Sequence, residues 1–209
     1  MAATRDMRIG LYKKISASLA VLLLVTGCAG MSSGISVGEE DIKSTQIQGV
    51  VDEILAARKT VDTAGMELIV GKQLLRNQAQ FAVIRILFNQ IVIDKNFTIS
   101  DSDVAARRGD VINQVGGLDR LEPALVSANL AASTFDEYLR ILIIVDRLNE
   151  SFISSGIPEA LVSQEVSKTL VATAEKLGVE VNPKYGTWNP ITAAIEASDV
   201  TDGAVTPLP

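Results

Sequence analysis

The sequence predicts a mainly α protein, built from several antiparallel helices with at most one short strand pair. Three observations carry this. Apolar residues recur at helical spacing in most segments long enough to judge. Helix-starting residues precede these stripes, and glycines follow several of them. Cys28 is the only cysteine, so the fold must be held by packing and not by disulfides.

Residues 1–27 read as a secretory signal. Arg5, Arg8, Lys13 and Lys14 make a basic start, with Asp6 the only acid. Ile15 to Val25 is an apolar run of 11 residues, too short to span about 30 Å of hydrocarbon as a helix. The run closes on small residues at Val25-Thr26-Gly27-Cys28. This tetrapeptide resembles the lipobox of bacterial lipoproteins. The resemblance implies that Cys28 is acylated on sulfur, becomes the mature N-terminus and holds the protein on the extracytoplasmic side of the cell membrane. The other reading is a free thiol after an ordinary signal. An odd cysteine in an exported protein calls for an explanation, and lipidation supplies one.

Removing 27 residues from 209 leaves 182, enough for one domain with a real core. The signal carries a net +3, so the mature chain falls from −6 to −9. Such a charge disfavours nucleic acid and anionic head groups as partners. Membrane attachment then rests on acyl chains. Histidine is absent, which removes the Ser-His-Asp triad, the Cys-His pair and the commonest zinc ligand. Carboxylate-only or lysine-based catalysis stays open on composition. No paired acids at a telling spacing, no phosphate loop and no dinucleotide fingerprint are present. The expectation is a non-enzyme with no cofactor and no metal.

Residues 28–34 are expected to form a lipidated tether, small and polar from Ala29, reaching about 20 Å. The domain proper is expected over 35–196. Ile35 to Gly38 suggests a short strand, and a helical stripe begins from Ser44 at Ile47, Val50, Val51, Ile54 and Leu55. Met66 to Lys95 is the longest periodic segment. As one helix of 30 residues it would run about 45 Å. Its wide apolar surface, broadened by Phe81 and Phe88, suggests a central helix contacted from several sides. Arg85, Asn89 and Gln90 argue against a strand and against a membrane span. Arg85 and Asn89 sit one turn apart, either lining a polar cleft or satisfied locally.

Ser100 has N-cap chemistry for a helix along Val104, Val111, Ile112 and Val115, ended by Gly116-Gly117. Leu118 to Leu130 reads as a short helix with Pro123 in its first turn. Thr134-Phe135-Asp136-Glu137 matches a capping box and opens a helix through Phe152. Pro158 suits the first turn of the next, and Gly178 its end. Val179 to Val181 suggests a strand, followed by turn-rich sequence to Pro190. Residues 197–209 are expected to be a disordered tail.

Three stretches together resemble the SurA N-terminal-domain-like lipoproteins of actinobacteria. The first is Ile35-Ser36-Val37-Gly38 with the helix ending Val51-Asp52-Glu53-Ile54-Leu55. The second runs from Thr98-Ile99-Ser100-Asp101 through Gln114-Val115-Gly116-Gly117 to Phe135-Asp136-Glu137-Tyr138-Leu139-Arg140. The third, the most specific, is Ala174-Glu175-Lys176-Leu177-Gly178-Val179-Glu180-Val181-Asn182-Pro183-Lys184-Tyr185-Gly186-Thr187-Trp188. The likeness spans about 35–188. It departs at Glu39, where the family usually has aspartate. The group is related to the chaperone part of the SurA and PrsA foldases and, more distantly, to trigger factor. The resemblance implies a helical chaperone-like module that binds unfolded or extended secreted polypeptides without catalysis. The joins between these helices are too short for a parvulin insert, whose site normally includes histidines, so prolyl isomerase activity is not expected.

The candidate residues are therefore Cys28 for lipid attachment and Tyr185, Trp188, Phe81 and Phe88 for polypeptide binding. Trp188 is the sole tryptophan. It serves either as a binding anchor or as a plug closing the core where the chain ends meet. Two other functions compete with the chaperone reading: an envelope lipoprotein with one dedicated partner, and a small-ligand receptor.

Overall fold

The computed structural model describes residues 33–198. The signal, Cys28, the tether as far as residue 32 and residues 199–209 lie outside the described residues. Six α-helices dominate, so the mainly helical expectation holds. The chain runs β1 (Ser33–Val37), β2 (Glu40–Lys43), α1 (Ser44–Ala57), α2 (Gly71–Lys95), α3 (Asp101–Gln114), α4 (Leu121–Ser127), α5 (Phe135–Ser154), α6 (Glu159–Leu177), β3 (Val179–Val181), β4 (Thr187–Asn189) and β5 (Ala194–Glu196). No helix among the described residues is long and apolar enough to cross a membrane.

The strand content exceeds the single pair expected. One antiparallel sheet has the order β2-β1-β3, and β4 pairs with β5 in a second. β1 is the central strand, so the start and the end of the domain are joined through its two ladders. β1 begins at Ser33, inside the expected tether. Gly34 explains why: its carbonyl accepts from Asn182 N (3.0 Å), and a Cβ there would lie 2.7 Å from the Ile42 carbonyl. β5 is tied to α2 by one side chain. Gln80 donates to the Ala193 carbonyl (3.0 Å) and accepts from Ile195 N–H (2.6 Å), serving as one rung of a ladder.

α2 is the centre of the molecule. It touches α1, α5, α6, β1 and β5. Three apolar clusters lie along it in order. Leu74 packs with Val51 and Ile54 of α1. Ala79, Val83 and Leu87 pack with Ile35, Val37 and Ala174. Phe88 and Ile91 pack with Ile143, Ile144 and Leu148 of α5. A fourth cluster, away from α2, joins Leu125 of α4 to Phe135 and Leu139 of α5.

The helix starts five residues later than its periodicity suggests. Val70 is extended and Gly71 turns the chain at φ +58°. The peptide groups of Ile69 are satisfied elsewhere. Its N–H donates to Asn129 Oδ1 (3.1 Å) and its carbonyl accepts from Arg58 Nη2 (2.8 Å). Arg58 Nη2 also donates to Asn129 Oδ1 (2.6 Å), and Gln78 Nε2 donates to the Asn129 carbonyl (3.0 Å). Asn129 itself sits at φ +56°, a region that asparagine tolerates better than most residues.

Most other helix ends follow the local signals. Ser100 Oγ accepts from Asp103 N–H (3.2 Å) while Ser100 N–H donates to Asp103 Oδ2 (2.8 Å), a reciprocal box. Gly116 and Gly117, both at positive φ, end α3, and Gly178 ends α6. The box expected at Thr134 is not made. A 3₁₀ turn, Ala132–Thr134, precedes α5, so Thr134 lacks the extended backbone of a cap. Its hydroxyl donates back to the Ala131 carbonyl (3.1 Å), and Glu137 turns to α2 instead.

Asn129 thus accepts three hydrogen bonds from three parts of the chain. Asn129→Gly keeps the left-handed backbone but strands the Ile69 N–H and takes from Arg58 Nη2 one of its two acceptors. It should lower stability by about 2 kcal/mol. Asn129→Ala should cost about 1 kcal/mol more, because alanine is strained at that φ. Urea denaturation of the two variants should place glycine between wild type and alanine.

Candidate functional site

A cleft of about 190 Å³ opens where β2, α1, α2 and the start of α5 converge. Ile42, Ile47 and Val50 form one apolar wall, and Phe81 and Ala82 form the other. The helical repeat sets the second wall, since Gln78, Phe81, Ala82 and Arg85 occupy one face of α2 at spacings of three and four. Polar groups come from Gln46, Gln78, Arg85, Thr134 and Glu137.

Arg85 Nη1 donates to Glu137 Oε1 (3.1 Å) at the edge of the cleft. Both side chains are partly exposed, so this pair contributes under about 1 kcal/mol to stability. Gln78 is only 6 % exposed. Its Nε2 is engaged by Asn129, and its Oε1 is buried without a partner among the described residues. Thr134, also buried, commits its hydroxyl to Ala131. The cleft therefore offers apolar contact, one buried acceptor, and a donor and an acceptor at the rim.

Two carboxylates are held below the ordinary range. For Asp94 the cause is the hydrogen bond from Lys176, then that from Gln90. For Asp103 it is the hydrogen bond from the Ser100 backbone, then that from its side chain. Neither lines this cleft.

The four aromatic candidates do not form one site. Phe81 is half-buried and lines the cleft. Phe88 is core, packed with Ile91 and Ile144. It is 5 % exposed, on the side of α2 that packs against α5. Tyr185 is core as well, 2 % exposed beside Ile35 and Ile195. Trp188 packs partly on the same cluster from strand β4, where the sequence suggested a loop. Its outer side lines a separate groove with Val179, Pro190 and the exposed Ile191. Arg85 lines the cleft, as one of its two sequence readings has it, and Asn89 does not. Gln78, Thr134 and Glu137 carried no signal of their own. Only the capping-box pattern marked the last two, for a different role.

Tyr185 leaves its hydroxyl buried and unpaired among the described residues. A group in that state is unfavourable, so Tyr185→Phe should leave stability unchanged or raise it by up to about 1 kcal/mol. Thermal unfolding of the variant checks this. A loss above about 2 kcal/mol would mean that the hydroxyl is bonded in solution.

Comparison with protein-family models, with curated proteins and with solved structures gives no match to this chain.

Proposed function

We propose that this protein is a lipid-anchored, non-catalytic chaperone-like module that binds unfolded or extended secreted polypeptides at the outer face of the cytoplasmic membrane. The observation that carries the reading is the cleft. An apolar interior lies under a rim that offers both a donor and an acceptor, which suits a polypeptide segment. The lipobox at Cys28 and the three stretches similar to SurA-type lipoproteins support it from the sequence. The cleft's carboxylate is paired with a guanidinium and its hydroxyl is committed to a carbonyl, which favours recognition over catalysis.

A dedicated envelope partner is the second reading, and one observation favours it. The broad apolar surface of α2 is used up in the core, so little of it remains for holding many clients. A small-ligand receptor fits this cleft less well, because pockets for such ligands run about 300–1,000 Å³.

Purified mature protein should slow aggregation of several unrelated unfolded proteins without ATP, at near-stoichiometric ratios. Affinities should lie around micromolar, about −8 kcal/mol. Light scattering with and without the protein reads this. Unchanged aggregation of every client, with tight capture of one folded envelope protein, would replace the chaperone reading by the dedicated-partner one.

The anchor is tested separately. The mature protein should partition into detergent and take up labelled palmitate, and Cys28→Ala should abolish both. Detergent-phase recovery of labelled Cys28→Ala protein would sink the lipoprotein reading. Stable anchoring needs two acyl chains or more, since one chain is marginal.

A further inference from the structure

We propose that the cleft takes a single apolar side chain of an extended polypeptide, whose adjoining backbone N–H donates to Gln78 Oε1. This rests on the polypeptide-binding reading above and names what that site holds.

Size limits the occupant first. A cavity of about 150 Å³ holds a benzene ring, and this cleft measures about 190 Å³. Its interior has room for one leucine- or phenylalanine-sized side chain.

Gln78 then requires a donor. Its amide orientation is fixed, because the nitrogen must face the Asn129 carbonyl. The oxygen is therefore the group left over, buried and unpaired. Such an acceptor is unfavourable until something donates to it, and an N–H beside the seated side chain does so. Phe81 lies one turn further along α2 and is half-buried. Helical side chains lean toward the helix N-terminus, which places Phe81 on the Gln78 side of its own turn, in the same wall of the cleft.

The rim sets the polarity. Arg85 uses one of its five donors on Glu137, and Glu137 uses one of its two oxygens. Together they offer donors and an acceptor with no net charge. That matches the carbonyl and N–H of a flanking peptide group better than it matches a charged ligand.

The test uses the full-length lipidated protein in detergent micelles and capped Gly-Ser nonapeptides with one central leucine. Titration followed by the side-chain amide resonances of Gln78 gives both the site and the affinity. The alanine version should bind about ten-fold more weakly. N-methylation of the leucine, or of the residue after it, should cost about ten-fold in one of the two peptides. Ala82→Trp, which fills the cleft from a partly exposed helix position, should weaken the leucine peptide by a similar factor. If that variant does not fold, the methylated peptides still decide against the unaltered protein. Equal binding of leucine and alanine peptides, no binding of either, or full affinity of both methylated peptides overturns the proposal. If aggregation is still suppressed in any of those cases, polypeptide binding stands and occurs elsewhere. If the leucine peptide binds as expected while no client is protected, the cleft is a docking site for one partner and the chaperone reading falls.

Discussion

The structure depends on one helix being buried on nearly every side. α2 packs against three other helices and both sheets, and three of the four apolar clusters are arranged along it. The middle of such a helix has little polar face on which to place side chains. Three polar residues there, Gln78, Gln80 and Arg85, find partners in neighbouring elements. Gln78 reaches the turn after α4, Gln80 reaches β5 and Arg85 reaches α5. Asp94, at the C-terminal end, pairs with Lys176 of α6. The apolar clusters supply the attraction. The polar ties fix the register, because each has only one position where it can be made.

This arrangement explains which parts of the fold were legible in the sequence. Signals that act within a few residues were read correctly. Ser100 caps α3 and Gly178 ends α6, because capping chemistry is local; α1 starts at Ser44 with Lys43 as its N-cap, and Pro158 takes the N-cap of α6 one residue before the first turn where it was expected. Features set by distant partners were not. β4 and β5 are three residues each, and the second is completed by Gln80 from α2. β2 has a single apolar residue, Ile42, and exists through its ladder with β1. The extra turn expected of α2 at Met66–Val70 is lost because Arg58 and Asn129 take the hydrogen bonds of Ile69. At Thr134 the local rule itself failed, because a 3₁₀ turn changed the backbone on which the rule relies.

The candidate site was legible only in fragments. Arg85 stood out as a charge on an apolar helix, and Phe81 as an aromatic on the same helix. Their convergence with Ile42, Val50 and Glu137 needs α1 and α5 to be placed against α2, which no short window of sequence contains. The aromatic count misled for a related reason. Phe88 and Tyr185 look like exposed anchors only while their packing partners are unknown, and both are core. Large apolar side chains are buried by default in a chain of this size, and the informative residue is the buried polar one, here Gln78.

The position of the cleft along the chain bears on how such a site would work. Its first wall is Ile42, in the strand that pairs with β1, and β1 begins five residues after Cys28. Five extended residues span about 17 Å. With Cys28 acylated, as proposed, the central strand is held close to the bilayer surface and β2 is fixed to it by backbone hydrogen bonds. The wall of the cleft formed by β2 and α1 is then the part of the domain nearest its anchor in chain length. On that proposal, a segment bound there would be held near the membrane. The short tether sets that distance, so lengthening it with flexible residues would change where a bound segment is held and leave the cleft intact.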